Sequence, residues 1–405
     1  QNYRNNDFKP YILRTNDYGK TWQLLTDGKN GIPSGHFTRA IAEDSNKKGL
    51  LFVGTEYGMY VSFDDGAHWQ SLQLNLPHTP ITDLESHQGD LAMSTQGRGF
   101  WLLEDVNVLE QVQNEQAKAK LHLFKPRDTY RTNVSGYRAV FHAYLAEAPA
   151  KDAESKVEIL NASGKVVRTY SSNGEDRRSK IGLKKGWNIL SWDLSHDGPI
   201  NAEKLVLMEM GVPIMGPPAA PGDYQVRITM GKESKTQSFK VLADPRWKDV
   251  KLEDYMAQEK LALEMRDLIS DSQRKVKNLR SLRQQIEDAA GLAVKAGHPT
   301  RIKDLATELA KGLTAVEDEI VQNQAEAGQD NFNYPRRFIN RIARIYGVLI
   351  WDHHRPTGGV IEAYADMQKV YDGIKARYDV AVKNTLEQFN KVLEEEKVAR
   401  VIDLK

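Results

Sequence analysis

With 405 residues the chain has material for two to four domains, each able to bury a core of its own. Its 56 basic and 55 acidic residues leave a formal charge of +1, and no run of like charge carries interleaved aromatics, so the composition gives no case for nucleic acid or an anionic membrane surface as a partner. The lack of cysteine excludes disulfides, thiolate metal sites and cysteine nucleophiles, and no stretch approaches the ~18 apolar residues of a membrane span.

The first residues, Gln1 to Asp7, hold no apolar signal core. Residues 1–106 then read as β structure. Tyr11-Ile12-Leu13-Arg14 runs as a strand into Thr15-Asn16-Asp17-Tyr18-Gly19-Lys20-Thr21-Trp22, and Trp22-Gln23-Leu24-Leu25 leaves it. Strands near 38–44, 50–54 and 58–63 lead into Ser62-Phe63-Asp64-Asp65-Gly66-Ala67-His68-Trp69, with another at 69–74. The two eight-residue segments start 47 residues apart and both fit S/T-x-D-x-G-x-T-W, His68 being the one departure. The pattern has a structural logic. The Asp carboxylate accepts backbone N–H groups across a tight turn, Gly permits a positive φ, and Trp packs between neighbouring sheets. Asp17, Gly19, Trp22, Asp64, Gly66 and Trp69 are therefore expected to be structural rather than catalytic. A third set, Ile81 to His87, Asp90 to Thr95 and Phe100 to Val106, alternates like strands, but no third copy of the motif follows. A period in the forties is the size of a four-stranded propeller blade, which makes this half a blade, a full blade and most of a third. Propellers close with roughly four to eight blades, so we expect further upstream blades, or a partner chain, to complete this one.

Residues 107–120 read as a linker and 121–245 as a β-sandwich of immunoglobulin or fibronectin type. Val157 to Leu160 and Lys165 to Tyr170 form a hairpin across Asn161-Ala162-Ser163-Gly164, Trp187 to Leu194 alternates strictly, and Asp223 to Met230 pairs with Lys235 to Val241 around Gly231. Gly211 to Pro218 reads as an irregular loop. Residues 246–405 read as an antiparallel helical bundle. Leu261, Met265, Leu268, Val276, Leu279, Leu282 and Ile286 keep helical spacing, Thr300 is placed to cap a helix over about 301–323, Pro335 opens one to Trp351, and a last one covers about 360–398. In that last helix Ile361, Tyr364, Met367, Tyr371, Ile374 and Tyr378 make an apolar stripe, read as intramolecular core.

The motif is that of the Asp-box, or bacterial neuraminidase repeat. The order Gly54-Thr55-Glu56-Tyr57-Gly58-Met59-Tyr60-Val61-Ser62, Asp64-Asp65-Gly66, Trp69, then Ser94-Thr95-Gln96-Gly97-Arg98-Gly99-Phe100-Trp101, resembles the C-terminal part of bacterial sortilin-like proteins with neuraminidase repeats, often labelled glycosyl hydrolases. Pro217-Pro218, Pro221-Gly222-Asp223-Tyr224-Gln225-Val226 and Asp244-Pro245-Arg246 continue the resemblance. It implies a propeller followed by a sandwich and a helical tail, in a secreted, periplasmic or outer-surface protein. No catalytic residue is carried over from it.

In such propellers the motif lies between the third and fourth strands, and ligands meet the opposite end. That end would hold Glu56 and Tyr57, Arg98 between two glycines, and His36 and His78 on the links between blades. Arg98 can offer a planar fork to a carboxylate, or tie neighbouring blades through their carbonyls. Glu56 can act as an acid or base, or be a solvated or Arg98-paired carboxylate. A glycosidase needs two carboxyls ~5–5.5 or ~6.5–9.5 Å apart, and Glu56 is the single one on a ligand-side second-to-third strand turn. Asp352-His353-His354 reads as a solvated helix end, not a metal site. Trp187 and Trp192 fall on opposite faces of their strand, and the sequons at Asn133 and Asn161 carry no weight. The sequence points to no metal and no cofactor. The expected function is non-catalytic recognition or assembly in the bacterial envelope or outside the cell, with the propeller holding a peptide or glycan and the helices available for oligomerisation. The alternative is a glycoside hydrolase whose catalytic residues lie mainly in upstream blades.

Overall fold

Alternation along each strand decides which residues face a neighbouring sheet. The computed structural model describes residues 2–112, 119–134, 136–150, 153–174, 176–201, 215–298, 300–327, 330 and 333–402. After a short 3-10 turn at Tyr3–Asn5, β1 (Leu13–Arg14) and β2 (Gln23–Leu24) form a two-stranded sheet. β3 (Thr38–Glu43), β4 (Leu51–Thr55), β5 (Gly58–Ser62) and β6 (Gln70–Ser71) make a four-stranded antiparallel meander, and β7 (Ile81–His87), β8 (Asp90–Thr95) and β9 (Phe100–Leu103) a three-stranded one.

These three sheets stack face on face. All five residues of β4 are buried because both its faces are covered. Leu51 and Val53 join Ile12, Leu25, Ile32 and Trp69 in one cluster, while Phe52 joins Leu50, Met59, Ile81, Leu84, Leu91 and Met93 in the other. Gly54 lies where a Cβ would come within 2.6 Å of the Ile81 side chain, so the spacing of second and third sheets depends on a missing methyl. The third sheet then departs from the second. Its last strand stops at Leu103, Asp105 turns at φ 57°, and α1 (Asn107–Gln111) follows where the second sheet has its motif loop and β6. The segment read as a linker thus begins as a helix, and Gln111 exchanges hydrogen bonds with the Lys125 backbone, 2.8 and 3.0 Å.

β10 (Leu121–Leu123), β11 (Thr129–Arg131), β12 (Ala139–Leu145), β13 (Ser155–Asn161), β14 (Val166–Ser171), β15 (Gly186–Trp192), β16 (Gly222–Met230) and β17 (Glu233–Ala243) form two sheets. The orders are β10-β12-β15 and β11-β17-β16-β13-β14, with β11 parallel to β17. Ala139, Phe141, Ala143 and Leu145 point inward from β12 at every second residue and meet Val157, Ile159, Val226, Ile228 and Phe239 of the facing sheet. Trp192 is core and Trp187 surface, as their odd spacing requires. Of the stretch Gly211 to Pro218, residues 211–214 lie outside the described residues, and Met215 to Pro217 are irregular.

The helices are α2 (Leu252–Lys295), α3 (Arg301–Ile320), α4 (Phe338–Trp351) and α5 (Gly358–Glu395), all drawing on one core. Asp254 accepts from the Lys251 N–H at 3.0 Å and sets an acid at the N-terminal turn of α2. Thr300 forms no cap: its backbone is already helical and its side chain bonds no N–H, whereas Thr357 does cap α5. Tyr364, Met367, Tyr371 and Ile374 are core and Tyr378 is partly buried, but Ile361 is exposed, the neighbouring Val360 packing against the core instead. Glu317 of α3, almost fully buried, is held by Arg280 at 2.6 Å and Arg283 at 2.8 Å of α2. Among the described residues no helix is long and apolar enough to cross a membrane.

Candidate functional site

The two motif loops are near copies atom for atom. Asp17 Oδ1 accepts from the Thr21 N–H (2.9 Å) and the Thr15 hydroxyl (2.9 Å), and Oδ2 from the Thr21 hydroxyl (2.7 Å). Asp64 accepts from the His68 N–H (2.8 Å) and the Ser62 hydroxyl (2.9 Å), and its Oδ2 pairs with His68 Nδ1 at 2.7 Å. Gly19 and Gly66, both at positive φ, donate their N–H groups to Thr15 and Ser62 at 2.8 and 2.9 Å. The Thr21 N–H and hydroxyl hold the Asp17 carboxyl below its usual range. At Asp64 partial burial pushes the other way, and the bonds from His68 and Ser62 outweigh it. A carboxylate that already accepts this many bonds is committed to its loop. Both loops also lie at the far end of their strands from the β4–β5 turn, so the motif acids cannot meet a ligand there.

The tryptophans of the two copies differ. Trp69 is 4% exposed against Ile12 and Leu25 of the first sheet, whereas Trp22 is 60% exposed, its indole N–H on the Gly19 carbonyl at 3.1 Å. Leu13 and Leu24 are exposed beside Trp22, and at the other end of the stack Phe100 is 90% exposed with Leu102.

At the β4–β5 end the structure brings four of the five candidates together. The rings of His36 and Tyr57 lie 4.6 Å apart, His36 Nδ1 meets the Tyr60 hydroxyl at 2.8 Å, and His78 Nδ1 donates to the Tyr57 carbonyl at 3.1 Å. Partial burial and the neighbouring charge of His78 hold His36 below the usual imidazole range. His78 keeps its Nε2 open as an acceptor in the neutral form, and Tyr57 is half exposed. Glu56, the fourth, is bound to Arg39 Nε at 2.5 Å, and that guanidinium also stands over Phe37 (5.2 Å) and Tyr3 (5.8 Å). Arg39, not Arg98, is therefore the partner of Glu56. The sequence reading missed Arg39, Tyr60 and the Tyr3–Phe37 stack (4.8 Å), and the signal for Arg39 was its place beside Thr38, which pairs with Thr55.

Arg98 stands apart. The Thr95–Gly99 turn is tied by Thr95, which bonds Gly99 and accepts the Arg98 N–H, and the Arg98 side chain is exposed with no carbonyl or carboxylate partner among the described residues. His353 and His354 both lie against Trp247, at 5.5 and 4.9 Å, and their N–H groups fall on Asp352. Among the described residues no three His, Asp or Glu side chains converge as a metal site.

One polar chain joins the sheet stack to the two-sheet unit. Trp187 Nε1 donates to His142 Nδ1 (3.2 Å), which fixes the proton on Nε2, and Nε2 then donates to Asp105 (3.1 Å). Arg127 spans Asp105 (2.9 Å) and Asp90 (2.8 Å). A carboxylate–imidazole pair with its other nitrogen closed by an indole has no nucleophile to activate, so this is a brace.

Scanned against protein-family models the chain matches none, and a search of curated proteins finds no match.

Proposed function

We propose that this chain is a non-catalytic recognition and assembly protein of the bacterial envelope or exterior. In this reading the three stacked sheets are an arc of an Asp-box β-propeller, the two-sheet unit is an immunoglobulin- or fibronectin-like sandwich, and the helical region is a bundle serving as spacer and scaffold. The contrast between Trp69 and Trp22 carries it. The same residue of the same motif is closed over by a neighbouring sheet in one copy and bare in the other. A surface built like a blade interface is fitted to receive a blade. Further blades, of this polypeptide or of a partner, supply it.

Ligand is taken at the β4–β5 end, where Tyr57 and His78 offer a ring edge and an acceptor to a peptide or glycan, with Arg98 on the separate β8–β9 turn adding a guanidinium that has no partner among the described residues. The hydrolase alternative has Glu56 there, and the ion pair with Arg39 leaves that carboxylate poorly placed to trade protons.

The test applies peptide and glycan panels, together with chromogenic glycosides, to the full-length protein. Binding without turnover, weakened by Tyr57→Ala and by Arg98→Ala, is the expected result. Turnover of a glycoside that Glu56→Gln abolishes would replace this reading with the hydrolase.

A further inference from the structure

Away from the sheet stack, the two-sheet unit holds a cavity of about 600 Å³ at the β13–β14–β15 side, and its charge is lopsided. Among the described residues, Arg138, Arg168, Arg177, Arg178 and Lys180 line it against one lining carboxylate, Asp193. Two of these cations are engaged. Arg178 is bound by Asp176, and Arg168, buried, reaches the His196 carbonyl at 3.1 Å and Asp197 at 3.5 Å. The buried Arg168 Nε has no hydrogen-bond partner, an orphan donor in a wall of the cavity. Arg138, Arg177 and Lys180 are exposed and make no ion pair among the described residues.

Cations gathered around one concavity repel each other, and a folded chain has easy ways to avoid it on an exposed rim. Between them lie Ile181, Leu190 and the ring of Tyr170, which give the cavity an apolar floor. The Tyr170 hydroxyl, pushed up to about 12 by burial with Asp193 close by, is a hydrogen-bond donor at neutral pH as any phenol is. An inorganic ion satisfies the rim but leaves the floor wet. A neutral apolar ligand satisfies the floor but leaves the cations uncompensated.

The geometry points to a second ligand site on the two-sheet unit, for an organic oligoanion of disaccharide size. Its carboxylate or sulfate groups sit on Arg138, Arg177 and Lys180, where guanidinium forks bind such groups in pairs. Its ring body lies on Tyr170, Ile181 and Leu190. This site is separate from the β4–β5 end and does not depend on what binds there.

Calorimetric titration of the whole chain tests it, with digalacturonate, a sulfated heparin-derived disaccharide, maltose and inorganic sulfate as probes. The triple variant Arg138→Gln, Arg177→Gln, Lys180→Gln changes exposed side chains alone, and circular dichroism checks that it folds. At least one acidic disaccharide is expected to bind, with affinity falling as salt rises, and the triple variant is expected to weaken it about tenfold. Digalacturonate alone would mark a carboxylate site, and the heparin fragment alone a sulfate site. The proposal is overturned if neither acidic disaccharide binds, if maltose binds as well as they do, if inorganic sulfate alone binds, or if the triple variant binds like the parent.

Discussion

In the second motif loop the imidazole of His68 stands where the first has the Thr21 hydroxyl, and both reach the same carboxylate oxygen of their Asp at 2.7 Å. The motif tolerates this exchange because it asks for a donor four residues on, not for a hydroxyl. The tryptophan is less forgiving. Trp69→Ala is expected to cost about 3–5 kcal/mol in urea unfolding, since it opens a cavity between two sheets, whereas Trp22→Ala should stay within about 1 kcal/mol. Equal losses would show that the bare ring is as well supported as the covered one. His36 carries a prediction in pH. Its folded pKa lies below the free value of 6.5, so the native state prefers the neutral ring. Its contribution to stability is whole above about pH 6.5 and is lost as pH falls through the folded value. Urea midpoints at about pH 7.5 and about pH 5 should differ less in His36→Gln than in the parent. Among the site residues, the sequence led to His36, Tyr57 and His78 through their place on turns and links. Arg39 was hidden because its pairing with Glu56 crosses 17 residues and depends on strand register.

At the scale of elements, the approach of the second and third sheets rests on Gly54. Gly54→Ala is expected to destabilise by about 1–3 kcal/mol, because Ile81 sits where the new methyl must go. Gly35→Ala meets no atom within 4 Å and serves as the control, neutral or slightly stabilising. A neutral Gly54→Ala would mean that the sheets can slide apart. The bounds of β7 and β8 were legible in the sequence because alternation runs up to Gln88 and Gly89, which turn at φ 50° and 83°. β9 was read three residues too long. The adjacent acids Glu104 and Asp105 already break the apolar pattern, and Asp90 takes the Asp105 N–H at 3.0 Å and draws the chain out of the sheet. The helices were legible from their periodicity and their ends less so. Pro335 lies three residues before α4 starts, and Thr300 has no N–H in reach.

For the molecule as a whole, β structure followed by helices was legible, since periods of two and 3.6 occupy separate halves of the chain. The arrangement of the units was not, because their seams are built from polar side chains distant in sequence. His196 meets Glu259 at 2.5 Å, Tyr346 reaches the Met215 carbonyl at 2.7 Å, and Arg266 the Asp197 carbonyl at 3.1 Å. The apolar clusters of the sheet stack, the two-sheet unit and the helices stay distinct. Scanning calorimetry should therefore show more than one transition, with a measured enthalpy above the van't Hoff value for the main peak. A single two-state peak would mean that the polar seams couple the cores fully.

The 44 residues of α2 make a rod of about 66 Å, held along its first half through Gln258, Glu259, Arg266, Ser270 and Gln273, with an arm of about 33 Å beyond them that carries α3. Such an arm magnifies. A tilt of about 5° at the end of the grip would sweep the far end through roughly 3 Å. The helical region can thus serve as a pointer whose position reports strain at its root.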